Sequence, residues 1–205
     1  MSQQVVLASN NRGKLKELEN LLAPLGLTII PQGEFAIADA EETGLTFVEN
    51  AIIKARHASQ LSGLPAIADD SGLEVDYLQG APGIYSARFS VDTDKNIVAT
   101  DASNNEKLLS LLNGVAVPER SARFQCCVVF MRHAADPTPL ICQGTWEGQI
   151  AFEPAGENGF GYDPLFYIPE LSCTSAQLDK SKKNTLSHRA KATAELLQQL
   201  QHRPI

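Results

Sequence analysis

The opening of the chain constrains the fold more than any other stretch. A short apolar run, Gln4 to Ala8, is followed by the polar Ser9-Asn10-Asn11 and then by Leu15, Leu18, Leu21, Leu22 and Leu25 at helical spacing. Gly26 stops that helix, Thr28 to Ile30 reads as a second strand, and Pro31 with Gly33 ends it. Strand, loop, helix and strand in this order form a β-α-β unit, which commits the chain to an α/β architecture with a parallel strand pair.

The next segments extend this pattern. Thr46 caps a second helix, with Glu49 three residues later as the partner of a capping box, and Phe47, Ala51, Ala55, Ala58 and Leu61 mark its buried stripe. Pro65 to Ala68 reads as a strand, and the chain breaks at Asp69-Asp70-Ser71-Gly72, which puts the acidic pair on a strand end or turn, before another strand from Leu73 to Leu78. Residues 90–105 read as a mobile connection and a lobe boundary, ahead of a helix over 106–112. β-Favouring residues over 122–131 and 140–150, around a turn at 133–139, form a long hairpin with Cys126 and Cys127 on opposite faces. Ala190, Ala194, Leu197 and Leu200 mark a closing helix from Ser187.

At 205 residues and 43% hydrophobic, the chain builds a sizeable core without staples. Cys126, Cys127, Cys142 and Cys173 lack paired-cysteine spacing and read as reduced core residues. His57, His133, His188 and His202 lack zinc-site spacing, so a metal here is oxygen-ligated. The net charge of −7 disfavours nucleic acid and anionic membrane as partners. With no targeting segment and no membrane-length apolar run, the expected location is cytoplasmic.

Four polar segments exceed what a core and a surface require. Ser9-Asn10-Asn11-Arg12-Gly13-Lys14 places small polar residues and a lysine at a helix N-terminus, where unpaired N–H groups favour phosphate. The same residues also serve as caps in a plain turn. Glu41-Glu42 and Asp69-Asp70 supply the carboxylates that magnesium prefers, or else a solvated loop and a capped turn. Gly159-Phe160-Gly161-Tyr162-Asp163 opens an aromatic ring to a flat ligand, unless Phe160 returns to the core. Lys182-Lys183 and Ser187-His188-Arg189 add donors suited to a keto purine, or a cap and first helical turn.

In this order the segments resemble the inosine/xanthosine triphosphate pyrophosphatases, the Ham1-like family. The matching stretches are 9–14, 41–51 with Lys54-Ala55, 68–73, 80–88, 159–164 and 187–189, spread over nearly the whole chain, with Ser9 where many relatives have threonine. The resemblance implies one domain, 1–205, with an elongated, mixed-sheet, two-lobed α/β fold and the active site in the cleft between the lobes. It further implies magnesium as cofactor, a homodimer, and release of pyrophosphate from inosine, deoxyinosine and xanthosine triphosphates. Ser9, Asn10, Asn11, Arg12, Gly13, Lys14 and Lys54 would hold the triphosphate. Glu42 and Asp70 would bind magnesium, with Asp70 also the proton acceptor and Glu41 and Asp69 supporting. Ser71, Phe160, Gly161, Tyr162, Asp163, Lys183, His188 and Arg189 would contact the nucleotide. A nucleotide sensor without turnover, or a phosphatase releasing orthophosphate, would use many of the same residues.

Overall fold

The structure, a computed structural model, describes residues 3–92 and 98–202, and only the backbone of Arg12, Glu17 and Asn20. Seven strands form one mixed sheet in the order β2-β1-β3-β4-β5-β6-β7. The strands are β1 Gln4–Leu7, β2 Thr28–Pro31, β3 Ala66–Val75, β4 Ser121–Met131, β5 Leu140–Ile150, β6 Phe166–Ile168 and β7 Cys173–Thr174. The helices are α1 Arg12–Leu22, α2 Phe47–Ser62, α3 Asp101–Leu111, α4 Lys180–Leu186 and α5 His188–His202. β1 runs parallel to β2 and to β3, so the opening β-α-β unit is present as read.

The chain divides into two compact units. One holds the residues up to Asp70, Cys126–Gly144 and everything from Arg189 on; the other holds Ser71–Gln125 and Thr145–His188. The divisions fall inside β3, β4 and β5 and after the first residue of α5, not in the 90–105 segment, which lies wholly within the second unit. Of that segment, 93–97 fall outside the described residues, and α3 begins at Asp101, five residues before the expected start. Thr100 and Ser103 close a reciprocal capping box there, a signal without the acidic third residue that usually marks one.

In the first unit the two-residue period of the strands sorts side chains between two cores. Val5, Leu7, Ile67, Cys126, Val128 and Phe130 meet α1 and α5 through Leu18, Leu22, Ala192, Leu196 and Leu200. Val6, Ala66, Ala68, Cys127, Val129 and Met131 meet Ala51, Ala55 and Ala58 of α2 on the opposite face. Cys126 and Cys127 therefore do point apart. Two stripes differ from expectation: Leu61 is exposed, and α5 buries Ala192, Thr193 and Leu196 while Ala194 faces outward. In the second unit Leu73, Val75, Phe124, Trp146, Ile150, Phe166 and Ile168 pack with Leu108 of α3 and with Leu112, its C-cap.

β3 also overturns an expectation. Asp69-Asp70-Ser71-Gly72 is continuous strand, not a turn. Glycine signals a turn because it takes positive φ freely, and aspartate and serine because their side chains bond nearby backbone. Here protein cations serve the two carboxylates, so the strand runs on through them.

Candidate functional site

The alternation of β3 decides what each aspartate meets. Asp69 shares the face of Ile67, toward α1 and α5. There it accepts from Lys14 Nζ of α1 at 2.9 Å and from Arg189 Nε of α5 at 3.3 Å. Asp70 shares the face of Ala66 and Ala68, toward α2. There it accepts from Lys54 Nζ at 2.7 Å and from Asn50 Nδ2 at 3.4 Å.

These surroundings drive the two carboxyls apart. Burial disfavours the charge of Asp69, yet Lys14, Arg189 and Lys54 outweigh it and hold the group well below the usual carboxylate range. For Asp70, burial prevails over Lys54, Glu42 adds to the effect, and the carboxyl is raised. Two neighbouring acids with opposed shifts make one fixed anion and one group able to exchange a proton.

Lys54 Nζ also donates to Glu42 Oε1 at 3.0 Å, so Glu42 and Asp70 close on one ammonium. Burial opposes the charge of Lys54, but Asp70, Asp69 and Glu42 overcome it and raise its pKa. Among the described residues no group of three or more His, Cys, Asp or Glu is disposed to hold a metal. Two carboxylates converging on a cation fit magnesium, which takes one or two carboxylates and completes its shell with water and phosphate oxygens.

The loop bearing Glu42 is held from several sides. Gln32 Nε2 donates to Asp39, and His57 Nε2 lies 3.0 Å from Ala38 O. Asn50, fully buried, accepts from Gly44 N through Oδ1 while its amide reaches Asp70. A Cβ on Gly44 would stand 2.6 Å from Glu49 Cβ and 2.7 Å from Asn50 Oδ1, so only glycine fits. Asn50 was not among the expected site residues; its one signal was a polar side chain on the apolar face of α2. Glu41 is exposed beside Glu42.

The Ser9–Lys14 loop is both a cap and a candidate cradle. Asn11 Oδ1 accepts from Gly13 N and Lys14 N, and Asn11 N donates to Ser9 Oγ. Asn10 is exposed and lies against Gly33, where a Cβ would come within 2.5 Å of its Oδ1. The side chain of Arg12 lies outside the described residues.

The other expected residues, apart from Arg189, belong to the second unit. Phe160 does not return to the core; its side chain is 61% exposed. Asp163 closes the loop beneath it, accepting from Phe160 N at 2.8 Å, from Ser175 Oγ at 2.5 Å and from Lys183 Nζ. Lys183 Nζ stands 5.3 Å from the Phe160 ring centroid. Tyr162 is buried, and its hydroxyl donates to Ser86 O at 2.8 Å, so this side chain braces the loop from within. His188 stacks on Phe124 at 4.8 Å, and Ser71 is half-buried in β3. Arg189, read from sequence as a donor to the base, is placed beside Asp69 in the first unit.

Comparison with known proteins gives the chain's family and fold. The Ham1 family pattern matches residues 5–199. A protein of Vibrio parahaemolyticus named dITP/XTP pyrophosphatase is 55% identical over 97% of this chain and 96% of its own. One of the same name from Photobacterium profundum is 57% identical over 94% and 95%. The structure of a HAM1 protein from Coxiella burnetii superimposes with a TM-score of 0.91 at 50% identity, covering 98% of this chain and 99% of that one. The Ham1 protein of Staphylococcus aureus gives 0.86 at 40% identity over the same shares. Matched along nearly its whole length in both sequence and fold, the chain belongs to the Ham1 family.

Proposed function

We propose that this chain hydrolyses inosine, deoxyinosine and xanthosine triphosphates to the nucleoside monophosphate and pyrophosphate, removing them from the nucleotide pool before incorporation into DNA or RNA. The observation that carries the reading is the aspartate pair of β3, with Asp69 paired to Lys14 and Arg189 on one face and Asp70 converging with Glu42 on Lys54 on the other. The name shared by its relatives, dITP/XTP pyrophosphatase, supports the substrate class.

Lys14, Lys54 and the loop from Ser9 to Lys14 receive the triphosphate, a polyanion that needs cationic partners before water can approach phosphorus. Glu42 and Asp70 would hold magnesium, which would supply further neutralisation of the phosphate oxygens. Asp70 orients a water toward the α-phosphorus and takes its proton. The water oxygen bonds to phosphorus as the bond to the bridging oxygen breaks, and pyrophosphate leaves with that electron pair. Asp69 keeps Lys14 and Arg189 in place throughout.

Phe160 offers its open face to the purine, with Lys183 above the ring facing a keto O6. Adenine sets an amino donor against that donor, and mismatched polar groups of this kind discriminate by up to about 10,000-fold. The enzyme works as a cytoplasmic homodimer on free nucleotides; family resemblance supports this, and the net charge of −7 disfavours polymeric nucleic acid.

The test is turnover of inosine, xanthosine, adenosine and guanosine triphosphates with and without magnesium, resolving pyrophosphate from orthophosphate. Magnesium-dependent pyrophosphate from the first two, with little from the others, is expected. Asp70→Asn should lower kcat by about 100- to 10,000-fold while inosine triphosphate still binds. Orthophosphate release, or equal use of all four nucleotides, would overturn the reading.

A further inference from the structure

Phe160 poses a physical problem. It is a large apolar ring, 61% exposed, between two glycines at φ +82° and +60°, conformations in which a loop has many alternatives. An exposed ring on such a loop would ordinarily fold back onto neighbouring apolar surface, yet this one stands out. Asp163 explains half of this by fixing Phe160 N from the preceding side.

The other half comes from α3, an element to which sequence reading gave no role in the site. Asp101, in its first turn, accepts from Gly161 N through Oδ2 at 2.7 Å. Asn105, one turn on, donates from Nδ2 to Gly161 O at 2.9 Å. Both backbone polar groups of the residue after Phe160 are thus held by one helix, one of them through a charged acceptor. α3 is itself anchored independently of this grip. Asn104 Nδ2 donates to Ser86 O and Ala87 O at 3.3 Å, and Asn104 Oδ1 accepts from Ser90 N. Leu108 and Leu112 are buried in the core below. Ser86 ties the same brace to β3 and to the loop: its Oγ accepts from Leu73 N at 2.9 Å, and its carbonyl accepts from the Tyr162 hydroxyl. The stretch 80–88, quoted above for resemblance alone, thereby acquires a task.

We propose that Asp101 and Asn105 are positioning residues for base discrimination, holding the Gly161 peptide groups so that Phe160 is presented in one orientation before a nucleotide arrives. This rests on the reading of Phe160 as the platform for the base. A preorganised platform spares the nucleotide the ordering cost of the loop. Loosening it should therefore weaken binding and base choice while leaving the phosphate chemistry on β3 intact.

The experiment compares wild type, Asp101→Ala, Asn105→Ala, the double variant and Asp101→Asn, measuring kcat and KM for inosine and adenosine triphosphates and the melting temperature of each. Each alanine variant should raise KM for inosine triphosphate about 10-fold, with kcat changed less than about 3-fold, and should lower the preference over adenosine triphosphate by a similar factor. Asp101→Asn keeps an oxygen acceptor for Gly161 N and should restore KM to within about 3-fold of wild type. The double variant should be less than additive, because both residues hold the backbone of Gly161, one at its N–H and the other at its carbonyl. Asp101 is exposed at the start of α3, so its alanine variant keeps the fold and carries the test if Asn105→Ala melts early. Unchanged KM and unchanged base preference in Asp101→Ala would overturn the proposal, as would a fall in kcat alone. A wild type that fails to prefer inosine triphosphate would instead overturn the assignment of function on which the proposal stands.

Discussion

The acidic pair on β3 joins residue type to residue place. Asp69→Asn leaves Lys14 and Arg189 facing each other without their shared anion. Breaking a mostly buried pair costs about 2–4 kcal/mol, which for a chain of this size lowers the melting temperature by roughly 5–12 °C. The folded carboxyl of Asp69 lies far below its unfolded value. Its stabilisation is thus complete above about pH 4 and is lost as pH falls through the folded value. Urea midpoints of wild type and Asp69→Asn should accordingly differ steadily from pH 7 to about 4 and converge below. Asp70 shifts the opposite way, so in the metal-free protein its carboxyl should titrate, by carbon-13 NMR, above the ordinary aspartate value of about 3.9. Lys54 favours the charged form of Asp70, so Lys54→Met should move that titration to higher pH; a downward move would contradict the pairing. The polar motifs carrying Lys14, Glu42, Lys54, Asp69 and Asp70 were legible in the sequence through family resemblance, and Asn50 was missed because its partners at 44 and 70 lie far from it in the chain. Which aspartate meets Lys14 and which meets Lys54 was not legible, since it depends on strand parity.

At the scale of elements, the strand-loop-helix opening and the long hairpin were readable from periodicity, which reflects burial directly. The continuity of β3 through Asp69-Asp70-Ser71-Gly72 was not, because the cations that make a strand tolerable there come from α1, α2 and α5. The start of α3 was hidden for a related reason: its cap is Thr100 with Ser103, and its Asn104 and Asn105 look like loop until their partners at 86, 87, 90 and 161 are known. The loop before α2 offers a test of such support. Gly44→Ala forces a Cβ into Glu49 and Asn50 and displaces the segment carrying Glu42. We expect kcat/KM to fall about 10-fold or more, because a misplacement of about 1 Å is costly in catalysis, while circular dichroism stays that of the wild type. Full activity in Gly44→Ala would show that the loop is not held as described.

For the whole molecule, two units share three strands. β3, β4 and β5 each begin in one unit and end in the other, so neither unit is built without strands that also serve its counterpart. Calorimetry should therefore record one transition, with calorimetric and van't Hoff enthalpies equal; two separable transitions would refute this. The same interleaving limits how such a protein changes over generations. The unit carrying Phe160 and Lys183 is written in two separate stretches of the chain and the unit carrying Asp70 in three, so no single crossover between genes exchanges one unit whole. Under the proposed assignment, a new base preference would then arise by substitution within one unit rather than by exchange of that unit.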